Sequence, residues 1–201
     1  MLNMVIASKN KHKLEEIQAI LRDLPLIIQS MDEVGLSHVE VVEDGETFEE
    51  NSMKKAKEVM TQTGRIAIAD DSGLEVDILE NQPGVYSARF SGEGATDQKN
   101  NMKLLKMLEN IPYEQRTARF VSVISVAFPD GKEIVVRGEC EGIIGFEEKG
   151  EHGFGYDPLF IVPQYNKTFS ELGPEVKNKI SHRAKALEKL KREFVRALGG
   201  I

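Results

Sequence analysis

Ala67-Ile68-Ala69-Asp70-Asp71-Ser72-Gly73 decides how the rest of this chain is read. An apolar run of β type, Ile66 to Ala69, meets two adjacent carboxylates, a hydroxyl and a glycine. Ligands of α/β proteins settle outside the carboxyl edge of the sheet, so a strand that ends here puts its acids where chemistry is done. Paired carboxylates suit a hard divalent cation such as Mg²⁺, which takes oxygen ligands and brings substrate phosphates with it. The same residues also make an ordinary turn closing a strand, because their side chains hydrogen-bond the local backbone. On this stretch alone both readings stand.

Upstream, Met4-Val5-Ile6-Ala7 predicts a strand that opens into Ser8-Lys9-Asn10-Lys11-His12-Lys13. Leu14, Ile17, Leu21 and Leu24 then recur at the spacing of an amphipathic helix. Strand, polar loop, helix points backbone N–H groups and the positive helix end at an anion. Ser8 and Asn10 add hydrogen-bonding side chains, and Lys13 adds a point charge. Lysines at a helix start oppose the macrodipole. A bound phosphate would resolve that misfit; a capped helix with solvated lysines is the alternative. Leu26-Ile27-Ile28 predicts a second strand, and Val39, Val41 and Val42 lead into the acidic loop Glu43-Asp44-Gly45-Glu46. Glu43 is free to face the Asp70-Asp71 pair, or to sit in a solvated acidic loop. Thr47 and Glu50 form a capping box for a helix with Met53, Ala56 and Met60 on one face and Gly64 as its stop.

Downstream, Leu74, Val76 and Ile78 alternate as in a strand, and Asn81-Gln82-Pro83-Gly84 is a turn. Thr96 caps a helix carrying Met102, Leu105 and Leu108. Phe120 to Phe128, Pro129-Asp130-Gly131 and Ile134-Val135-Val136 describe a β-hairpin. Glu148 to Asp157 reads as a glycine-rich loop in which Phe154-Gly155-Tyr156-Asp157 offers two aromatics and a carboxylate. A planar base can stack on Phe154; equally, both aromatics can anchor the loop in the core. Leu159 to Val162 is a further strand. The last helix starts near Pro174 or at a Ser181 cap, and the latter places His182 and Arg183 in its first turn with Lys177 just before.

The 201 residues suffice for one substantial core, and no linker, repeat or low-complexity tract divides them, which predicts a single domain over 1–201. A net charge of -7 argues against nucleic-acid or anionic-membrane partners, so a phosphate site must be local. The single Cys140 excludes an intrachain disulfide framework and fits a reducing, cytoplasmic setting. No apolar run reaches the roughly 20 residues of a membrane span.

Six blocks, in order from residue 8 to residue 183, resemble the inosine triphosphate pyrophosphatase family, which hydrolyses non-canonical purine nucleoside triphosphates. They are Ser8 to Lys13, Thr47 to Asn51, Ala69 to Leu74, Pro83 to Arg89, Phe154 to Asp157 and Ile180 to Arg183. The resemblance implies an α/β fold: a long, mixed, curved sheet with surrounding helices, in two lobes with a central active-site cleft. It implies a Mg²⁺-dependent homodimer that converts ITP, dITP and XTP to the monophosphate and pyrophosphate. By the same resemblance the triphosphate is gripped by the loop Ser8, Lys9, Asn10, Lys11, His12 and Lys13, joined by Lys55. Glu43 and Asp71 hold the metal, Asp71 is the general base, and Ser72 touches substrate. Phe154, Gly155, Tyr156, Asp157, Lys177, His182 and Arg183 form the base pocket. Lys9 and His12 depart from the smaller residues common at those places, which makes the phosphate loop tighter or more cationic.

Overall fold

Side-chain alternation along the strands decides which face of the sheet each functional group reaches. The structure, a computed structural model, describes residues 2–197; Met1 and residues 198–201 of the expected domain lie outside the described residues. The first half of the chain runs β1 (Leu2–Ile6), α1 (Lys11–Leu21), β2 (Leu26–Ser30), α2 (Phe48–Thr63), β3 (Ile66–Val76), β4 (Gln82–Pro83) and α3 (Asp97–Met107). It continues with β5 (Thr117–Ala127), β6 (Glu133–Ile144), β7 (Phe160–Val162), β8 (Lys167–Thr168), α4 (Phe169–Ile180) and α5 (His182–Ala197). The strands form one open, mixed, eight-stranded sheet in the order β2-β1-β3-β5-β6-β7-β8, with β4 paired to β3. β2 and β3 run parallel to β1, with Ile6 opposite both Ser30 and Ile68. Parallel neighbours need crossovers, and α1 and α2 supply them. β3–β4, β6–β7 and β7–β8 are antiparallel.

The described residues gather into two compact units. The first holds residues 2–71, 122–138 and 183–197. Its sheet is buried on both faces. Met4, Ile6 and Ile68 pack with Ile17 and Leu21 of α1 and Leu187 of α5, whereas Val5, Ala7, Ala67 and Ala69 pack with Ala56 and Val59 of α2. The second unit holds residues 72–121 and 139–182. Its core joins Leu74, Leu104, Leu108, Phe120, Phe160 and Phe169, with the Phe120 and Phe160 rings 4.6 Å apart.

Several local expectations hold. Thr47 and Glu50 make the predicted capping box, and Gly64 ends α2 in the left-handed region at φ 64°. The Phe128–Lys132 turn joins β5 to β6 as the hairpin pattern requires. Others are corrected. β3 does not stop at Asp70: it runs unbroken through Asp-Asp-Ser-Gly to Val76, so this segment is no turn. Only its parallel pairing with β1 ends there, after Ile68. Ile78 lies beyond the strand in a 3₁₀ turn and is exposed. On α2 the expected Ala56 and Met60 do meet the core, but Met53 is only half-buried; the inward face also carries Phe48, Ser52, Lys55 and Val59, and its two polar residues have buried partners. On α3, Met102 is exposed and Asn100, Asn101, Leu104 and Leu108 point inward. The last helix, expected to start near Pro174 or at a Ser181 cap, is two helices: α4, capped by Thr168 and kinked at Gly173 (φ 72°), and α5, which follows Ser181.

Candidate active site

In the first unit the strand order β2-β1-β3 places a topological switch point at the carboxyl ends of β1 and β3, where open α/β sheets bind ligands. The Ser8–Lys13 loop leaves β1 at that point, and the Ala7 N–H donates to the Ile68 carbonyl at 2.8 Å. The Ser8 hydroxyl accepts from the Asn10 N–H at 3.2 Å, and the Asn10 side chain caps α1 by accepting from the Lys13 N–H at 3.2 Å. The first turn of α1 contains Lys11, His12 and Lys13 and no acid. Lys9, Asn10, Lys11 and His12 are exposed, while Ser8 and Lys13 are half-buried. Positive side chains are thus added to the positive end of a helix, an arrangement that a phosphate stabilises.

Strand alternation then sends the two acids of β3 to opposite faces. Asp70 follows Ile68 toward α1 and α5, where it is buried. Its carboxylate accepts from Ser122 Oγ (2.5 Å), Lys13 Nζ (2.8 Å) and Arg183 Nη2 (3.2 Å). Arg183, only 1% exposed, also pairs with Glu16. Burial alone would push the Asp70 carboxyl up, but the charges of Arg183 and Lys13 outweigh it and hold the group well below the usual carboxylate range. Asp71 follows Ala69 toward α2 and Lys55. Lys55 Nζ donates to Glu43 Oε1 (2.5 Å), the Asp70 carbonyl (2.9 Å) and Asp71 Oδ1 (3.0 Å). Burial raises the Asp71 carboxyl above its ordinary value, against the pull of Lys55 and Lys13. Burial opposes the charged form of Lys55 too, yet Asp71 and Glu43 overcome it and raise this ammonium.

Glu43 and Asp71 therefore stand within reach of one cation, the Lys55 ammonium, in a cage of three oxygens. Hard oxygen donors of this kind fit Mg²⁺. Among the described residues no group of three or more His, Cys, Asp or Glu side chains gathers as metal ligands. A pair of carboxylates matches the way Mg²⁺ is usually held, by one or two acids with phosphates and waters completing the octahedron.

The second unit contains Ser72 and the residues expected around a base except Arg183, which belongs to the first unit and pairs there with Asp70 and Glu16. Phe154 is half-buried, and its N–H donates to Asp157 Oδ2 at 3.0 Å. Lys177 Nζ lies 2.7 Å from the same oxygen and 4.5 Å from the Phe154 ring centroid. Both charged side chains are buried, which makes this pair a fixed strut under the loop. Tyr156 is the core anchor that the sequence left open: it is buried and its hydroxyl donates to the Ser87 carbonyl at 2.8 Å. Burial raises its phenol well above the ordinary value. His182 stacks on Phe120 at 4.8 Å and is likewise buried. The sequence reading missed the roles of Glu16, Ser122, Asp97 and Asn101. Only the parity of adjacent acids in a continuous strand could have separated Asp70 from Asp71.

These features define an α/β protein with a cationic helix start and a two-carboxylate cage around a lysine. The chain belongs to the Ham1 family, whose model matches residues 4–193. It is 52% identical over 188 residues to the dITP/XTP pyrophosphatase of Desulforamulus reducens, covering 94% of this chain and 93% of that protein. The dITP/XTP pyrophosphatase of Clostridium perfringens is 49% identical over 197 residues, covering 95% and 96%. Among solved structures, a HAM1 protein from Coxiella burnetii superposes with a TM-score of 0.89 at 41% identity, covering 98% of this chain and all of that one. The Ham1 protein of Staphylococcus aureus gives 0.86 at 41% identity, covering 96% and 97%.

Proposed function

We propose that this chain is a Mg²⁺-dependent nucleoside triphosphate pyrophosphohydrolase acting on ITP, dITP and XTP, and that it works as a cytoplasmic homodimer. The observation that carries the reading is the pairing, in one unit, of the cationic start of α1 with the Glu43–Lys55–Asp71 cage. Relatives of about half identity named dITP/XTP pyrophosphatase support the substrate class. The buried Cys140, the single cysteine of the sequence, fits a reducing compartment.

Ser8, Asn10 and Lys13 bind the triphosphate through the N–H groups and charges at the start of α1. Glu43 and Asp71 would hold Mg²⁺, which when bound neutralises negative charge on the phosphate oxygens. Asp71 orients a water and accepts its proton as the water oxygen bonds to the α-phosphorus. The bond from that phosphorus to the bridging oxygen breaks, and pyrophosphate leaves with the electron pair. A carboxyl raised by burial is a better base than a solvated one. Base choice rests on polarity: a 6-oxo purine accepts hydrogen bonds where adenine donates them, and a dry donor site rejects the wrong partner on the order of 10⁴-fold.

Pyrophosphate release from ITP, XTP, dITP, GTP, ATP, TTP and UTP with Mg²⁺ tests the proposal. Turnover concentrated on ITP, dITP and XTP is expected. Preference for TTP and UTP would favour a pyrimidine pyrophosphatase of similar carboxylate chemistry and overturn the purine reading. Light scattering on the purified chain tests the dimer.

A further inference from the structure

Gly155 sits between the two aromatics of the proposed base loop in the left-handed region, at φ 61°, two residues after Gly153 at φ 82°. Nothing lies within 4 Å of where a Cβ would be, so the glycine is required by its backbone conformation rather than by crowding. Two such glycines leave a loop with many accessible conformations. Here one of them is tied at both of its backbone groups. The Gly155 N–H donates to Asp97 Oδ2 at 2.7 Å, and its carbonyl accepts from Asn101 Nδ2 at 3.1 Å. Asp97 and Asn101 are four residues apart, one turn of α3, so a single rigid helix face makes both bonds.

The amide of Asn101 has only one workable orientation. Its Nδ2 also donates to Glu148 Oε1 at 2.7 Å, so both hydrogens face acceptors, and a flipped amide would set oxygen against oxygen twice. Asn101 is 3% exposed, and its Oδ1 has no hydrogen-bond partner among the described residues. Helix and loop also meet a third time. Asn100 Nδ2 and the Tyr156 hydroxyl both donate to the Ser87 carbonyl, at 3.3 and 2.8 Å.

From this clamp we infer that Asp97 and Asn101 are positioning residues for nucleobase recognition: they fix the Gly155 backbone and thereby the placement of Phe154 and Tyr156. The inference rests on the assignment of this loop to the base. It assigns α3 a part in substrate choice that no residue of the triphosphate site performs. Loss of the clamp weakens capture of the nucleoside and leaves the phosphate end untouched.

The test uses the full chain with ITP as substrate and inorganic triphosphate as a competitor that lacks a base. Asp97 is exposed, so Asp97→Ala is safe for folding, whereas Asn101→Asp replaces the donor with a third acceptor. Both variants are expected to raise KM for ITP about tenfold, with kcat within about twofold and inhibition by inorganic triphosphate unchanged. Asp97→Asn keeps an oxygen for the Gly155 N–H and restores the parent KM. Amide exchange at Gly155 is slow in the parent and faster in Asp97→Ala. Unchanged KM in both variants, or an equal loss of affinity for inorganic triphosphate, overturns the inference. A parent protein that binds inorganic triphosphate but neither binds nor cleaves ITP overturns the nucleotide reading instead, which separates the two failures.

Discussion

Replacing Lys177 by methionine tests how the second unit holds its loop. Lys177 and Asp157 are a buried pair 2.7 Å apart, with side chains 4% and 2% exposed. The lysine also covers the faces of Phe154 and Phe169 at 4.5 and 5.8 Å. Methionine preserves most of the stem's apolar packing, so the change isolates the charge. It deprives a buried carboxylate of its ammonium, and breaking such a pair costs about 3–5 kcal/mol. For a chain of this size each kcal/mol moves Tm by roughly 2–4 °C, so a fall on the order of 6–20 °C is expected in calorimetry. The double variant Lys177→Met/Asp157→Asn removes the stranded charge, keeps an acceptor for the Phe154 N–H, and should recover more than half of the loss. A single-variant loss below about 1 kcal/mol is the size expected of a solvent-exposed pair, and would refute the argument from burial. So would a double variant no more stable than the single.

Asp71→Asn is expected to bind ITP with near-parent affinity and to release no pyrophosphate, as read by calorimetric titration beside the turnover assay; near-normal turnover would remove Asp71 as the base. Lys55→Met leaves Glu43 and Asp71 without their shared cation and costs about 3 kcal/mol. Mg²⁺ should then raise Tm more in the variant than in the parent, and equal shifts would show that the metal does not use this cage. Asp70 governs acid stability: its folded carboxyl lies well below the usual range, because Arg183 and Lys13 outweigh the upward push of burial. Its contribution is therefore complete above the unfolded value of about 3.9 and is lost as pH falls through the lower folded value, where the unfolded chain holds more protons. Asp70→Asn should flatten that acid limb in denaturant titrations from pH 5 downward.

Much of this was readable from local chemistry. The Thr47–Glu50 box, the Gly64 stop and the hairpin turn at Pro129-Asp130-Gly131 each rest on residues whose preference is intrinsic to the backbone. What misled was polarity treated as a sign of the surface. Asp70, Asp71, Asn100 and Asn101 all look like breakers of a buried element, yet each is buried and hydrogen-bonded to a residue distant in the chain or across a loop. Their partners, Ser122, Lys55, Ser87 and Glu148, stand from 13 to 52 residues away. The two- to four-residue spacings that mark strand and helix faces span none of these pairs. Met53 and Met102 failed as core markers for the complementary reason: part of the inward face of each helix is taken by polar side chains with tertiary partners.

The same pairs bear on how a chain of net charge -7 can present the proposed phosphate site. Each buried or half-buried site cation is matched by an internal acid: Lys13 by Asp70, Lys55 by Glu43 and Asp71, Lys177 by Asp157, and Arg183 by Asp70 and Glu16. Unpaired, such cations would carry a large desolvation cost. Paired, they are fixed in direction before any ligand arrives. A phosphate must then compete with a carboxylate for Lys13 and Lys55, and its advantage comes from greater charge and from the N–H groups at the start of α1. Because these pairs are shielded from solvent, salt screens them less than it screens an exposed basic patch. Affinity for inorganic triphosphate should accordingly fall less steeply with ionic strength than a count of the site's lysines implies; a slope matching full, independent exposure of Lys9, Lys11, Lys13 and Lys55 would mean that the buried pairs are not intact in solution.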